Sequence, residues 1–233
     1  MEKIRTELIV LSEQKYGESS KIIRVFSKEK GKITILAKGA LNAKSPLVSI
    51  TQLFSHSNAY INKGRSFYYI ESATILNSNF KIRKKYETLI ISSYILELLD
   101  KTFLEGEVNK KIFDLTVKTL KIIQNINYIM PIILAFELKY ITFLGYRPSL
   151  ELQEKNNYFS IKDGGIVDLD ENQFGCYLLD KKDIYYLKKL LYTSLDEIDE
   201  RYDSDKLIYL HNILIEYIKY NLDINEINSL ALI

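Results

Sequence analysis

The chain has 233 residues, 47% hydrophobic and 12% aromatic, with 18 Tyr and no Trp; that is enough for one large domain or two small ones, each with its own core. No run approaches the ~18 apolar residues of a membrane span, the opening MEKIRTELIV does not have the form of a signal peptide, and a single Cys176 excludes an intrachain disulfide and suits the cytosol. The net charge of +2 conceals a polarity, because the first 85 residues hold 16 Lys/Arg against 6 Asp/Glu and the remainder 16 against 24.

In chain order, residues 4–76 alternate apolar and polar positions between turn residues, the pattern of β-strands. The first run, 7–11, gives way to Tyr16-Gly17-Glu18-Ser19. Runs at 21–26 and 32–37 flank Lys28-Glu29-Lys30-Gly31, a hairpin turn whose glycine can supply a positive φ. Runs at 52–61 and 66–76 flank Asn62-Lys63-Gly64-Arg65, a second hairpin of the same kind. Five strands with a longer link through residues 39–46 predict a small closed barrel such as an OB-fold, and an SH3-like barrel fits nearly as well.

After Asn77-Ser78-Asn79 the period becomes helical. Tyr86, Leu89, Ser93, Leu96 and Leu99/Asp100 trace one face; Phe113, Val117, Leu120 and Gln124 trace a second. Residues 128–144 predict a third helix, with Pro131 in its first turn and Gly145 as its C-cap. Residues 149–180 read as irregular and polar, and helices follow at 181–195 and 204–222. The predicted class is α+β: an OB-fold over 1–80, then a helical domain over 81–233 with an irregular insertion at 149–180.

No catalytic constellation emerges. His56 and His211 read as structural, and the segment from Gly39 to Ser45 lacks the second glycine and the spacing of a phosphate loop. Asp199, Glu200, Asp203 and Asp205 read as a solvated acidic loop before a helix. The basic positions are more informative. Lys28 and Lys30 mark one hairpin with Lys32, Lys63 and Arg65 mark the other, and Lys38 and Lys44 flank the link. Lys81, Arg83, Lys84 and Lys85 form a run at the domain junction, at a helix start where the dipole disfavours cations and invites an anion. Point charges at the mouths of a barrel suit a groove that tracks a phosphate backbone. A basic head beside an acidic body suits a polyanion-binding module joined to one with another task. Phe54, Tyr60, Phe67, Tyr68 and Tyr69 are interleaved with these cations, and alternation sends Tyr68 to the face opposite Phe67 and Tyr69. One set is then core, and the other is placed to stack on bases.

Three groups of residues, in order, resemble one family. They are Tyr16-Gly17-Glu18-Ser19 with Val25 to Lys32 and Ala37-Lys38-Gly39-Ala40, then Tyr94 to Asp100, then Ala135-Phe136-Glu137-Leu138 with Leu144-Gly145-Tyr146-Arg147-Pro148. Their order and spacing resemble the RecO family of bacterial recombination mediators over nearly the whole chain. The resemblance implies an N-terminal OB-fold that binds single- and double-stranded DNA and a helical C-terminal domain; the residues themselves call for no cofactor and no membrane. It also implies partnership with RecR and with the C-terminal tail of single-stranded DNA-binding protein, in loading RecA and annealing strands. Such a tail is an acidic peptide with an apolar end, and it needs an apolar pocket rimmed by cations. Lys101, Lys110, Lys111, Lys118 and Lys121 on the first two helices are the candidates.

One departure concerns metal. Many members of that family carry two Cys pairs that hold zinc, and the spacing places those ligands at Gln153, Asn156, Asp168 and Glu171. None is Cys, and Cys176 lies outside the pattern, so the tetrahedral thiolate site is not expected here.

Three functions are consistent with these residues: a DNA-binding recombination mediator without catalysis, an RNA-binding OB protein of ribosome assembly, and a scaffold that works through its acidic helical half.

Overall fold

The structure, a computed structural model, describes residues 3–199 and 201–232. The alternating head becomes five strands: β1 (Lys3–Tyr16), β2 (Ser20–Ser27), β3 (Gly31–Ala37), β4 (His56–Lys63) and β5 (Tyr68–Asn77). They close into a barrel in the order β1-β2-β3-β5-β4, sealed by parallel pairing of Ile35 with Tyr68 and Leu36 with Tyr69. This is the five-stranded OB architecture. Ile4, Leu8, Val10, Ile23, Val25, Ile33, Ile35, Ala59 and Ile61 fill the interior, joined by Tyr68, Ile70 and Ala73. A one-turn helix, α1 (Leu47–Ile50), interrupts the link after β3.

Two details differ from the alternation. β1 extends well past 7–11 in both directions, with a bulge between Val10 and Ser12. Residues 52–55 are not strand. They form a turn in which Phe54 takes φ 68° and donates its N–H to the Val10 carbonyl at 3.2 Å, while the Val10 N–H donates to the Ser55 carbonyl at 3.1 Å.

By packing, the chain falls into two units. The first runs to Asn125 and takes in the segment from Ile227 onward; the second is Ile126–Glu226. The first unit therefore holds, with the barrel, α2 (Tyr86–Thr102) and α3 (Lys110–Ile123). α2 is buried along most of its circumference, including Ile91, Ile95, Leu98 and Leu99, while Tyr86, expected on its inner face, is 68% exposed. A helix buried on most sides loses the single apolar stripe from which a face is read. Asn109 caps α3, its side chain accepting from the Ile112 N–H at 3.1 Å. Gly31 takes φ 65°, and any Cβ there would run into the backbone of Glu107, because the loop between α2 and α3 lies along β3. The Gly106 N–H donates to the Lys32 carbonyl at 2.8 Å to hold it there.

The second unit is built on α4 (Met130–Phe143), α5 (Lys181–Tyr192) and α6 (Ser204–Leu222). Pro131 occupies the first turn of α4, and Gly145 ends the helix at φ 97° with the Tyr146 N–H on the Ile141 carbonyl. α5 begins with a reciprocal capping box between Asp180 and Asp183. The stretch expected to be irregular contains a small sheet of order β7-β6-β8: β6 (Tyr158–Ser160), β7 (Gly165–Val167) and β8 (Cys176–Leu178). Three-residue strands are too short to show alternation. Among the described residues, no helix is long and apolar enough to cross a membrane.

Candidate nucleic-acid interface

Tyr69 pairs with Leu36 on one side and Asn62 on the other, which sets the end of β3 beside the turn between β4 and β5. The link after β3 turns at Gly39, φ 71°, and the Leu41 N–H fastens it to the Ser19 carbonyl in the β1–β2 turn at 2.9 Å. One rim of the barrel thus carries Lys38, Lys63 and Arg65, with Lys44 on the adjoining link, all four exposed. Among the described residues none of the four is ion-paired. The Lys38 ammonium instead sits 5.3 Å from the centre of the Tyr69 ring. Like charges gathered without ion-pair partners leave a positive potential over the rim, the condition for steering a polyanion.

The junction run departs from the first helical turn expected of it. Residues Phe80–Lys84 form a 3₁₀ helix ahead of α2. Lys84 lies 5.3 Å from the ring of Phe80, itself 56% exposed, and Lys85 is exposed. Lys81 donates to the Asn125 side chain at 2.9 Å. Arg83 turns inward, donating to Gln52 Oε1 at 3.1 Å and to the Leu53 carbonyl, and burial lowers its pKa. It acts as a strut that fixes the 3₁₀ helix on the 52–54 turn.

Two of the cations of the other hairpin, Lys28 and Lys32, have internal partners. Lys28 meets Asp114 of α3 at 2.6 Å, and that hydrogen bond is the main cause of its raised pKa. Lys30 is half-buried in the turn, its N–H on Ser27 Oγ at 3.1 Å. Arg24 and Lys32, on the outer face of β2 and β3, converge on Asp100 at 3.0 and 3.6 Å. Sequence reasoning missed this knot: its members are far apart in the chain, and no local spacing joins them.

The five candidate lysines for a partner all lie in the first unit. Lys101 pairs with Glu97 at 3.0 Å and Lys110 with Glu29 at 2.7 Å. Lys111 and Lys118 also interact with other groups, and Lys121 is exposed on α3. Each histidine faces a carboxylate: His56 meets Glu7 at 2.8 Å and His211 meets Glu137 at 2.9 Å. In the acidic loop, Asp199 binds Arg201 and Asp203 caps α6, while Glu200 lies outside the described residues. Of the aromatics, Phe54 is fully buried and Tyr68 packs on the barrel core, whereas Tyr60, Phe67 and Tyr69 keep part of their surface in solvent.

The positions that correspond to zinc ligands carry two amides and two carboxylates, a donor set unsuited to a thiolate site. The structure ties part of this segment together with hydrogen bonds. The Asn156 N–H donates to Asp168 at 3.1 Å, its amide to the Leu169 carbonyl at 3.0 Å, and the Gln153 N–H to Asn157 at 2.9 Å.

A closed OB barrel with an unpaired cationic rim, followed by helices, defines an OB-fold protein of mixed α+β class. Residues 1–79 match the family described as Recombination protein O N terminal, and residues 83–231 match Recombination protein O C terminal. The chain is 30% identical over 241 residues to the DNA repair protein RecO of Alkaliphilus metalliredigens, covering 98% of each chain. It is also 30% identical to that of Caldanaerobacter subterraneus, over 97% of this chain and 95% of the relative. The Clostridium acetobutylicum protein of the same name is 34% identical over 148 residues, 63% of this chain and 60% of that one. The chain belongs to the RecO family of DNA repair proteins.

Proposed function

We propose that the chain is a non-catalytic DNA-binding recombination mediator, acting in the cytoplasm at the nucleoid. In this reading it holds single- and double-stranded DNA on the barrel rim. With RecR and the tail of single-stranded DNA-binding protein, it loads RecA and anneals strands. The observation that carries the proposal is the set of rim cations Lys38, Lys44, Lys63 and Arg65, none ion-paired among the described residues. They sit on a unit with 21 Lys/Arg against 12 Asp/Glu, while the second unit holds 11 against 18. Neutralising phosphates on two strands at once lowers their mutual repulsion, which is the physical requirement for annealing.

In this reading Lys38, Lys44 and Arg65 make the main phosphate contacts, and Lys84 and Lys85 extend the track, with Lys30 and Lys81 beside them. Lys28 and Arg83 add to the field while held by their own partners. The lysines of α3, with Lys101 on α2, supply the cations for the acidic tail. Fluorescence anisotropy with labelled single-stranded DNA tests the proposal. Binding should weaken when Lys38, Lys44 and Arg65 are replaced together by Glu, and unchanged binding would refute it.

A further inference from the structure

We propose that Tyr69 is a base-stacking residue through which the barrel tells an unpaired strand from a duplex, and that Lys38 covers its ring until a strand arrives. This rests on the DNA-binding reading and adds a contact that reading does not need. Strand register sets Ile22, Leu36 and Tyr69 side by side across β2, β3 and β5. Their neighbours in sequence, Ile23, Ile35 and Tyr68, point into the barrel, so alternation turns this row outward. All three are half-buried, forming an apolar strip on a barrel surface otherwise rich in cations. On OB barrels the outer face of strands 2 and 3 and the loop between strands 4 and 5 are where oligonucleotides lie.

The ring is held in place by backbone. A Cβ at Gly64 would overlap the Cε2–Cδ2 edge of Tyr69, so the ring rests against a residue with no side chain. Only Lys38 has to move before a base meets it. Lys38 is exposed, with its ammonium 5.3 Å from the ring centre. An exposed contact of this type is weak, and a phosphate oxygen offers the same ammonium a stronger, charge-assisted partner. When the strand arrives, Lys38 moves to the backbone and the adjacent base takes the ring face. In a duplex the base faces are already stacked on each other, so only the phosphate contacts remain.

The chain has no Trp, so Tyr69→Trp places its one tryptophan at the site, where it can be excited selectively over the tyrosines. Titration with an oligothymidylate should quench its emission, and a duplex of equal length should leave it nearly unchanged. Tyr69→Ala should weaken single-strand binding roughly tenfold, with duplex affinity and salt dependence as in the parent, and Tyr69→Phe should bind as the parent does. Circular dichroism of each variant confirms the fold. If Tyr69→Ala binds single strands like the parent, or the Trp emission is unmoved at saturating oligonucleotide, stacking at Tyr69 is wrong. Failure of the parent reading would show separately, as salt-independent binding or none by the unmodified protein.

Discussion

Phe26 of β2 and Phe103, just past α2, bring their ring centres to 4.8 Å, and both are sealed from solvent at 0% and 1% exposure. Alternation turns Phe26 away from the barrel interior, where Val25 points, so it is the helices that bury it. Phe113 of α3 completes the contact at 6.3 Å. The barrel is therefore not a finished body at residue 80. A fragment of residues 1–80 should aggregate or fail to give a native spectrum, and Phe103→Ala should cost about 3–5 kcal/mol. Denaturant unfolding of the variant and circular dichroism of the fragment check this.

Glu97 fastens the C-terminal segment to α2. Its carboxylate accepts from the Asn228 and Ser229 N–H groups at 2.8 and 2.9 Å and from the Ser229 hydroxyl at 2.7 Å. Burial pushes its pKa up, but these donors and Lys101 outweigh that and hold it at about 2, below the ordinary 4.5. A carboxylate with a depressed pKa stabilises the fold above its unfolded value and loses that contribution as pH falls through the folded one. Glu97→Gln should lower stability at pH 7, and its deficit should shrink between about pH 4.5 and pH 2. Paired thermal melts across that range measure it.

His211 and Glu137 form a buried pair inside the second unit, at 5% and 0% side-chain exposure. Burial alone would depress the imidazole pKa, but the Glu137 charge and hydrogen bond prevail and raise it above 6.5. The contribution is then full below about pH 6.5 and lost as pH rises through the folded value. His211→Ala should cost about 3–5 kcal/mol at pH 6 by removing the imidazolium from the buried Glu137 carboxylate, and less at alkaline pH. Urea unfolding at pH 6 and pH 9 gives the comparison.

The protein as purified should contain no stoichiometric zinc, and a chelator should leave its melting temperature unchanged. Gln153, Asn156 and Asp168 hold their segment by hydrogen bonds to neighbouring groups. Metal analysis that finds about one zinc per chain would overturn this.

The barrel was legible because its strands alternate cleanly: β3 runs buried and half-buried without a break. Ser204–Leu222 emerges with the bounds its periodicity implies, since Asp203 caps it and Asp223 ends it in the left-handed region. The packing of α2 and α3 on the barrel was not legible, because Phe26 looks like any alternating strand residue until its partners 77 and 87 positions away are placed. The same distance hides what the cations do. Lys28 and Lys110 look equally free in the sequence, yet each finds an acid from across the first unit, Asp114 and Glu29. Lys38, Lys44 and Arg65 stand out only once those pairings are removed.

The salt dependence of single-stranded DNA binding tests the central claim most directly. Each phosphate neutralised on a single strand contributes about −0.7 to the log–log slope, so roughly 4 to 6 contacts give a slope near −3 to −4. Anisotropy titrations across salt should show that slope for the unmodified chain. With Lys38, Lys44, Arg65, Lys84 and Lys85 all changed to Glu, binding should collapse. A flat dependence, or binding that survives the five reversals, would mean that the basic rim is not the DNA surface.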